Sequence, residues 1–121
     1  MPQPTMSSGP ERFSAAGSSF CVHEWRGSGP ATLHVHHADD EAWHVLEGTL
    51  RFRFADGSIE VSAGGTMFVP AGVAHTYEAV NARYLIILTP RLDALIKALQ
   101  SERDRARHPA IYSEHESELL E

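Results

Sequence analysis

Short stretches of alternating apolar and polar residues follow one another from residue 20 to residue 89. Such alternation indicates strands with one buried face, and turn-forming residues separate the stretches. This many short strands is typical of a β-barrel or a β-sandwich. The predicted strands are residues 20–26, 31–36, 42–46, 49–54, 58–61, 66–69, 75–79 and 84–88.

Turn residues support these boundaries. Asp56 and Gly57 form a dipeptide that is typical of a tight hairpin. Gly48 lies between two predicted strands, where a residue without a Cβ adopts a positive φ at little cost. Pro70 and Gly72 shape the loop that leads into His75.

The hydrophobic period changes after the last predicted strand. Thr89 is a typical helix N-cap, and Pro90 suits the first helical position. We predict one amphipathic helix over residues 90–107, ended by Pro109 and packed on the strands by its apolar face. A further short helix is expected within residues 111–121. The apolar residues at helical spacing are Leu92, Leu95, Ile96 and Leu99.

The pattern divides the chain into three parts. Residues 1–19 are rich in Pro, Ser and Gly, and we predict a flexible N-terminal arm. Residues 20–89 are predicted to form the β-domain, and residues 90–121 a C-terminal helical segment. A chain of 121 residues is long enough for one hydrophobic core and too short for two ordinary ones.

Composition and charge narrow the classes of partner. The net charge of -6 argues against a nucleic-acid partner, which requires clustered Lys and Arg. The sequence has no apolar run of about 20 residues and no basic segment followed by an apolar one, so we expect no membrane association and a cytoplasmic location. Cys21 is the one cysteine, which excludes an intrachain disulfide.

Three histidines and one glutamate have the spacing of a metal site. His34 and His36 are two residues apart on a predicted strand, so both imidazoles point to one face. The chain can bend in the gap before Glu41, which returns a carboxylate to the same cavity, and His75 comes from another strand. This donor set suits one divalent transition metal, namely Fe, Mn, Co, Ni, Cu or Zn.

Strand phase separates candidate pocket residues from outward ones. If Glu41 faces inward, Trp43 does too, and Tyr77 shares the face of His75. Trp43 and Tyr77 are therefore either substrate-binding walls of the pocket or ordinary core aromatics. Arg51 and Arg53 face outward in this phase.

Three further histidines are not expected to be metal ligands. His37 is out of phase with His36, and His44 is out of phase with Glu41, so both are predicted to lie on the surface or at an interface. His115 lies between two glutamates and is predicted to be exposed.

These residues resemble the two motifs of the cupin superfamily. The second motif ends here on Ala79 where the family commonly has an asparagine. Before its strand, this chain has Gly65 and Thr66 where the family commonly has Gly-Asp. The resemblance implies a single cupin double-stranded β-helix, a jelly-roll barrel, with the C-terminal helix added to it. The matching residues are Gly29, His34, His36, Glu41 and Gly48 for the first motif, and Gly64, Pro70, Gly72 and His75 for the second.

The resemblance is specific for fold and metal site but leaves the reaction open. One hypothesis is an oxygenase like the small quercetin-dioxygenase-like cupins, acting on an aromatic or enolic small molecule with Glu41 as ligand and catalytic base. The alternatives are a metal-dependent isomerase, cyclase or decarboxylase, and a non-catalytic small-molecule-binding protein. Small cupins commonly pair, and outward Ala42 and Leu46 need cover, so a homodimer is also expected.

Overall fold

The computed structural model of the protein describes residues 2–8 and 11–121. The described residues form an antiparallel β-fold followed by short helices. The elements are β1 (Ser14–Ala16), β2 (Cys21–Trp25), β3 (His34–His36), β4 (Glu41–Phe54), β5 (Gly57–Ser62), β6 (Thr66–Val69), β7 (His75–Leu88), helix α1 (Pro90–Ser101), a 3-10 turn (Arg105–Arg107), helix α2 (His108–Glu114) and β8 (Ser117–Leu119).

Two long strands, β4 and β7, organise the sheet. They pair antiparallel from Ala42 opposite Ile87 to Phe54 opposite His75. The sheet order is β1-β2-β7-β3-β8, while β5 and β6 pair with β4. This antiparallel arrangement, followed by α1, confirms the predicted all-β class with a C-terminal helix.

The strands β4 and β7 are each longer than the sequence pattern indicates. Residues 42–46 and 49–54 were expected to be separate strands, but pairing with β7 continues through an irregularity between Val45 and Thr49. Gly48 makes this possible with a φ of +72°, and a Cβ there would lie 2.2 Å from the carbonyl oxygen of Asn81. The glycine therefore bends β4 without ending it.

Alternate residues of the long strands build the core. Trp43 is fully buried, and its ring centroid lies 4.9 Å from that of Phe52 and 5.3 Å from that of Tyr77, both in edge-on contact. Helix α1 covers the sheet with Leu92 and Leu95, which are 1% and 2% exposed. The apolar face of α1 thus packs on the strands as its spacing predicts.

The predicted end of the C-terminal helix is wrong. The helix α1 begins at Pro90 after the N-cap Thr89, as expected, but it ends at Ser101 and not at residue 107. Pro109 does not end a helix; it stands in the first turn of α2. Proline suits that place because the first backbone N–H groups of a helix need no intrahelical partner.

The last residues return to the sheet, which corrects the expected helix over residues 111–121. The helix α2 ends at Glu114, Glu116 has a φ of 54°, and β8 then pairs antiparallel with β3. His115 is half-buried, not exposed, and its Nδ1 donates to the Ile111 carbonyl oxygen at 2.7 Å.

Part of the predicted arm is also ordered against the sheet. Strand β1 pairs with β2, with Ser14 opposite His23. Residues 1, 9 and 10 of the predicted arm lie outside the described residues. Within residues 2–8 and 11–121, no helix has the length and apolarity needed to cross a membrane.

Candidate metal centre

The four predicted metal ligands meet at one place in the fold. His34 and His36 are the ends of β3, and Glu41 and His75 are the first residues of β4 and β7. His34 lies opposite His75 in the antiparallel register, which brings β3 and β7 together there. Donor atoms of all four side chains lie within 4.8 Å of one another, and all four residues are buried.

Each imidazole is held by a hydrogen bond from Nδ1. His34 donates to the Thr32 carbonyl oxygen at 3.0 Å, and His75 donates to that of Val73 at 2.9 Å. His36 Nδ1 lies 2.7 Å from Ser117 Oγ, whose own proton is donated to a backbone oxygen, so the serine accepts. This leaves every Nε2 with a lone pair, the form in which imidazole binds a metal.

The free nitrogens converge on the carboxylate. His36 Nε2 and His75 Nε2 lie 3.0 Å and 2.7 Å from Glu41 Oε1. A nitrogen lone pair and a carboxylate oxygen repel at this distance unless a cation lies between them. That cation is either a proton or a metal ion, and the set of three imidazoles and one carboxylate fits a divalent transition metal.

The pKa shifts of His34 and Glu41 match this chemistry, whereas that of His75 favours a proton that a metal ion would displace. Burial, together with the charge of His75, lowers the pKa of His34 to about 4. Burial by itself raises the pKa of Glu41, but hydrogen bonds from His36 and His75 outweigh it and lower the pKa to about 2. Burial also opposes the charged form of His75, yet its hydrogen bond with Glu41 raises the pKa. An ionised carboxylate beside neutral imidazole is what metal binding requires.

A cavity of about 250 Å³ opens beside the cluster, between the sheet and α1. His34, His36 and Glu41 are among its lining residues. His75 is 1% exposed and does not line the cavity. No lysine or arginine is among the described residues that line it, and Glu41 is the one carboxylate there. Apolar side chains form most of the remaining wall: Trp25, Ile86, Leu92, Leu95, Ile96 and Leu99.

The two predicted pocket aromatics occupy different places. Tyr77 lines the cavity, and its hydroxyl lies 3.0 Å from that of Tyr84. Gly29 leaves room for the Tyr77 ring, since a Cβ at that glycine would lie 2.4 Å from it. Trp43 does not line the cavity. It is fully buried behind it, with its ring centroid 5.7 Å from that of His75.

The outward residues lie where strand phase predicts. His37 is exposed and contacts Glu118, and His44 is half-buried and bonded to the Thr66 hydroxyl. Neither belongs to the cluster. Arg51 and Arg53 are exposed on the other face of β4.

Sequence reasoning missed three residues of this site. Trp25 lines the cavity from β2, Ser117 fixes the His36 ring, and the Tyr112 ring lies 5.7 Å from that of His34. Trp25 alternates with Cys21 and His23, which places it on a defined face, but the sequence does not tell which face the cavity takes. Ser117 and Tyr112 come from the C-terminal segment, and no local pattern predicts that it returns to β3.

Three comparisons with known proteins bear on this site. An uncharacterized protein of Streptomyces coelicolor, SCO3923, is 32% identical over 56 residues, which are 45% of this chain, and the chain spans about half, 53%, of the length of that curated relative. A cupin-2 domain containing protein from Shewanella frigidimarina is 27% identical, with a TM-score of 0.53 over 69% of this chain and 84% of that one. KdgF from Halomonas sp. is 21% identical, with a TM-score of 0.56 over 69% of this chain and 82% of that one, a likeness that shows the fold alone.

A match between the sequence and a family model identifies the family. The family model described as Cupin domain matches residues 21–89, which are more than half of the chain. The matched region runs from β2 to the residue before α1 and includes all four clustered side chains. The chain therefore belongs to the cupin domain family.

Proposed function

We propose that the protein is a metal-dependent cupin oxygenase that acts on a small aromatic or enolic molecule. One observation carries the proposal: His34, His36 and Glu41 of the cluster line a cavity whose other walls are mainly apolar. His34, His36, Glu41 and His75 would hold the metal. When bound there, a transition metal supplies Lewis acidity toward a substrate oxygen and, if it is redox-active, electrons for oxygen chemistry.

The cavity walls support the choice of substrate. Trp25, Tyr77 and the aliphatic side chains of α1 favour a planar, largely apolar molecule, because stacking and burial add affinity. They also exclude water from the end where the ligands lie. A small dianion such as oxalate lacks a lysine or arginine partner among the described lining residues. Trp43 does not line the cavity, but its ring packs on His75 and Tyr77 and supports their positions.

Glu41 is the residue we assign to proton transfer. It is the one carboxylate that lines the cavity within the described part of the chain. Its Oε1 contacts His36 and His75, which hold the group ionised and in place. An ionised, oriented carboxylate can accept the hydroxyl proton of an enol or phenol at the mouth of the cluster. Among the described residues that line the cavity there is no second carboxylate and no lysine, which disfavours reactions that need two proton-transferring groups.

We also propose a homodimer. Phe68, Ala42, Ile87, Val22 and Ala15 are consecutive cross-strand partners on the outer face of the sheet. Phe68 is 59% exposed, and the other four form one apolar row with it across five strands. A second copy of the chain that covers this row would remove it from water.

The metal assignment predicts a contrast between neighbouring histidines. His36→Ala should reduce the metal content of the purified protein severely, because His36 Nε2 faces the cluster. His37→Ala is the matched control and should bind metal like the wild type, because its ring is exposed and contacts Glu118. Elemental analysis of both variants measures this. Equal losses would contradict the assignment.

The oxygenase assignment predicts oxygen consumption. Protein purified without added metal should contain iron, copper, nickel or manganese, and it should take up oxygen with at least one flavonol, diketone or catechol. An oxygen electrode measures the uptake, and His36→Ala should abolish it. Turnover of a substrate without oxygen uptake would instead indicate an isomerase, cyclase or decarboxylase.

The cavity assignment predicts which ligands bind. An aromatic or enolic compound should bind the metal-loaded protein more tightly than oxalate does. Trp25→Ala should weaken its binding by more than about 1 kcal/mol, the scale of a lost aromatic contact. Phe68→Ala, on the outer face, is the control and should leave the affinity unchanged. Calorimetric titration measures both effects, and tighter binding of oxalate would overturn the assignment.

If the protein is a dimer through the outer face, a charge introduced there should disrupt the dimer. Phe68→Asp should convert the dimer to a monomer at micromolar concentration, because it buries a charge in the apolar row. Ile59→Asp, which alters another exposed apolar residue, on β5, should stay dimeric. Sedimentation measures both variants. A monomeric wild-type protein at every accessible concentration would refute the dimer.

A further inference from the structure

A second group of metal-binding side chains lies outside the centre described above, between β2 and α1. Cys21 and His23 are two residues apart on β2, so their side chains share one face. Asp93 comes from the first turn of α1. A sulfur, a nitrogen and a carboxylate oxygen of these three side chains lie within 4.8 Å of one another. Two elements distant in sequence thus bring three different ligand types to one point.

The three side chains are shielded from water and oriented. Cys21 and Asp93 are 2% and 7% exposed, and the His23 side chain is 12% exposed. His23 Nδ1 lies 2.7 Å from the Oγ of Ser14, which stands opposite it on β1. His23 Nε2 lies 2.9 Å from Asp93 Oδ1. Histidine ligands of metals commonly have this arrangement, in which one ring nitrogen is held by an oxygen and the other is presented to the ion.

The charges around the three side chains accommodate a divalent ion. Without a metal, the Asp93 carboxylate contacts His23 Nε2 through Oδ1 and pairs with Lys97, whose Nζ lies 3.0 Å from Oδ2. A divalent ion that displaces the thiol proton makes thiolate, carboxylate and ion neutral together. Lys97 is 67% exposed and is free to swing away into solvent.

We propose that Cys21, His23 and Asp93 form a second metal site that takes a thiophilic divalent ion such as Zn²⁺. Sulfur, imidazole and carboxylate are the ligands that zinc uses in proteins, and three of them leave one tetrahedral position for water. The ion links β2 to α1, which forms a wall of the cavity through Leu92 and Leu95. The site is independent of the proposed oxygenase activity, because it shares no ligand with the first cluster.

Cobalt distinguishes the two sites, because a bound thiolate gives a sulfur-to-cobalt charge-transfer absorption that nitrogen and oxygen ligands do not give. The full chain should bind two equivalents of Co²⁺ and show this absorption. His75→Ala should lose the first equivalent and keep the absorption. Cys21→Ser should lose the absorption and one equivalent while keeping the other. His37→Ala is the control and should match the wild type in both readouts.

Asp93→Asn tests the second site by a different change in case the Cys21 variant fails to fold. It keeps the thiol and the shape of the Asp93 side chain. It should lower Co²⁺ affinity at the second site by more than tenfold, with the first equivalent unchanged. Ser14→Ala should weaken the second site by about tenfold, the usual effect of losing a partner that orients a ligand. Circular dichroism verifies that each variant is folded. One equivalent of Co²⁺ without the absorption in the wild type, or an unchanged second equivalent in Asp93→Asn, overturns the proposal.

Discussion

The contact of the Glu41 carboxylate with His36 and His75 is the interaction on which the rest of this structure depends. A carboxylate that is 6% exposed loses most of its hydration, and an unpaired buried charge is strongly destabilising. Both histidines approach the same oxygen, and each is held from behind by its own hydrogen bond. The three side chains come from the ends of β3, β4 and β7. Pairing of the buried Glu41 charge therefore requires the ends of these three strands to meet at one point.

Much of the fold positions these strand ends. Gly48 lets β4 stay paired with β7 from Ala42 to Phe54, and the sheet curls so that Glu41, at one end of this pairing, contacts His75 at the other. The C-terminal residues then add an edge strand beside β3. Ser117 accepts from His36, and β8 pairs with β3 in register. Helix α1 provides a mainly apolar wall, so the candidate metal ligands line a cavity whose other side chains are mostly apolar.

The sequence predicted those features that depend on local periodicity. Alternation along strands identified His34, His36, Glu41 and His75 as one group and excluded His37, because side chains two apart share a face. The N-cap Thr89 and the apolar spacing after it located the start and the buried face of α1. These features need no knowledge of which segments meet in space.

Features that depend on tertiary contacts were missed or misjudged. Gly48 and residues 80–83 were predicted to separate strands, but pairing between β4 and β7 continues past both. Pro109 was predicted to end the first helix. It stands instead in the first turn of α2, which follows the 3-10 turn. The same limit applies to Trp43 and Trp25. Strand phase placed Trp43 correctly on the inner face, but only the packing of α1 decides that Trp25 lines the cavity and Trp43 lies behind it.

The most direct test of the metal centre is a crystal structure of the metal-loaded protein with anomalous scattering measured at the absorption edge of the metal. The account predicts one anomalous peak about 2.0 to 2.2 Å from the Nε2 atoms of His34, His36 and His75 and from a Glu41 oxygen. Each Nδ1 should keep its oxygen partner. A fully loaded crystal with no peak among these four side chains, or a metal bound through Nδ1, would contradict the account.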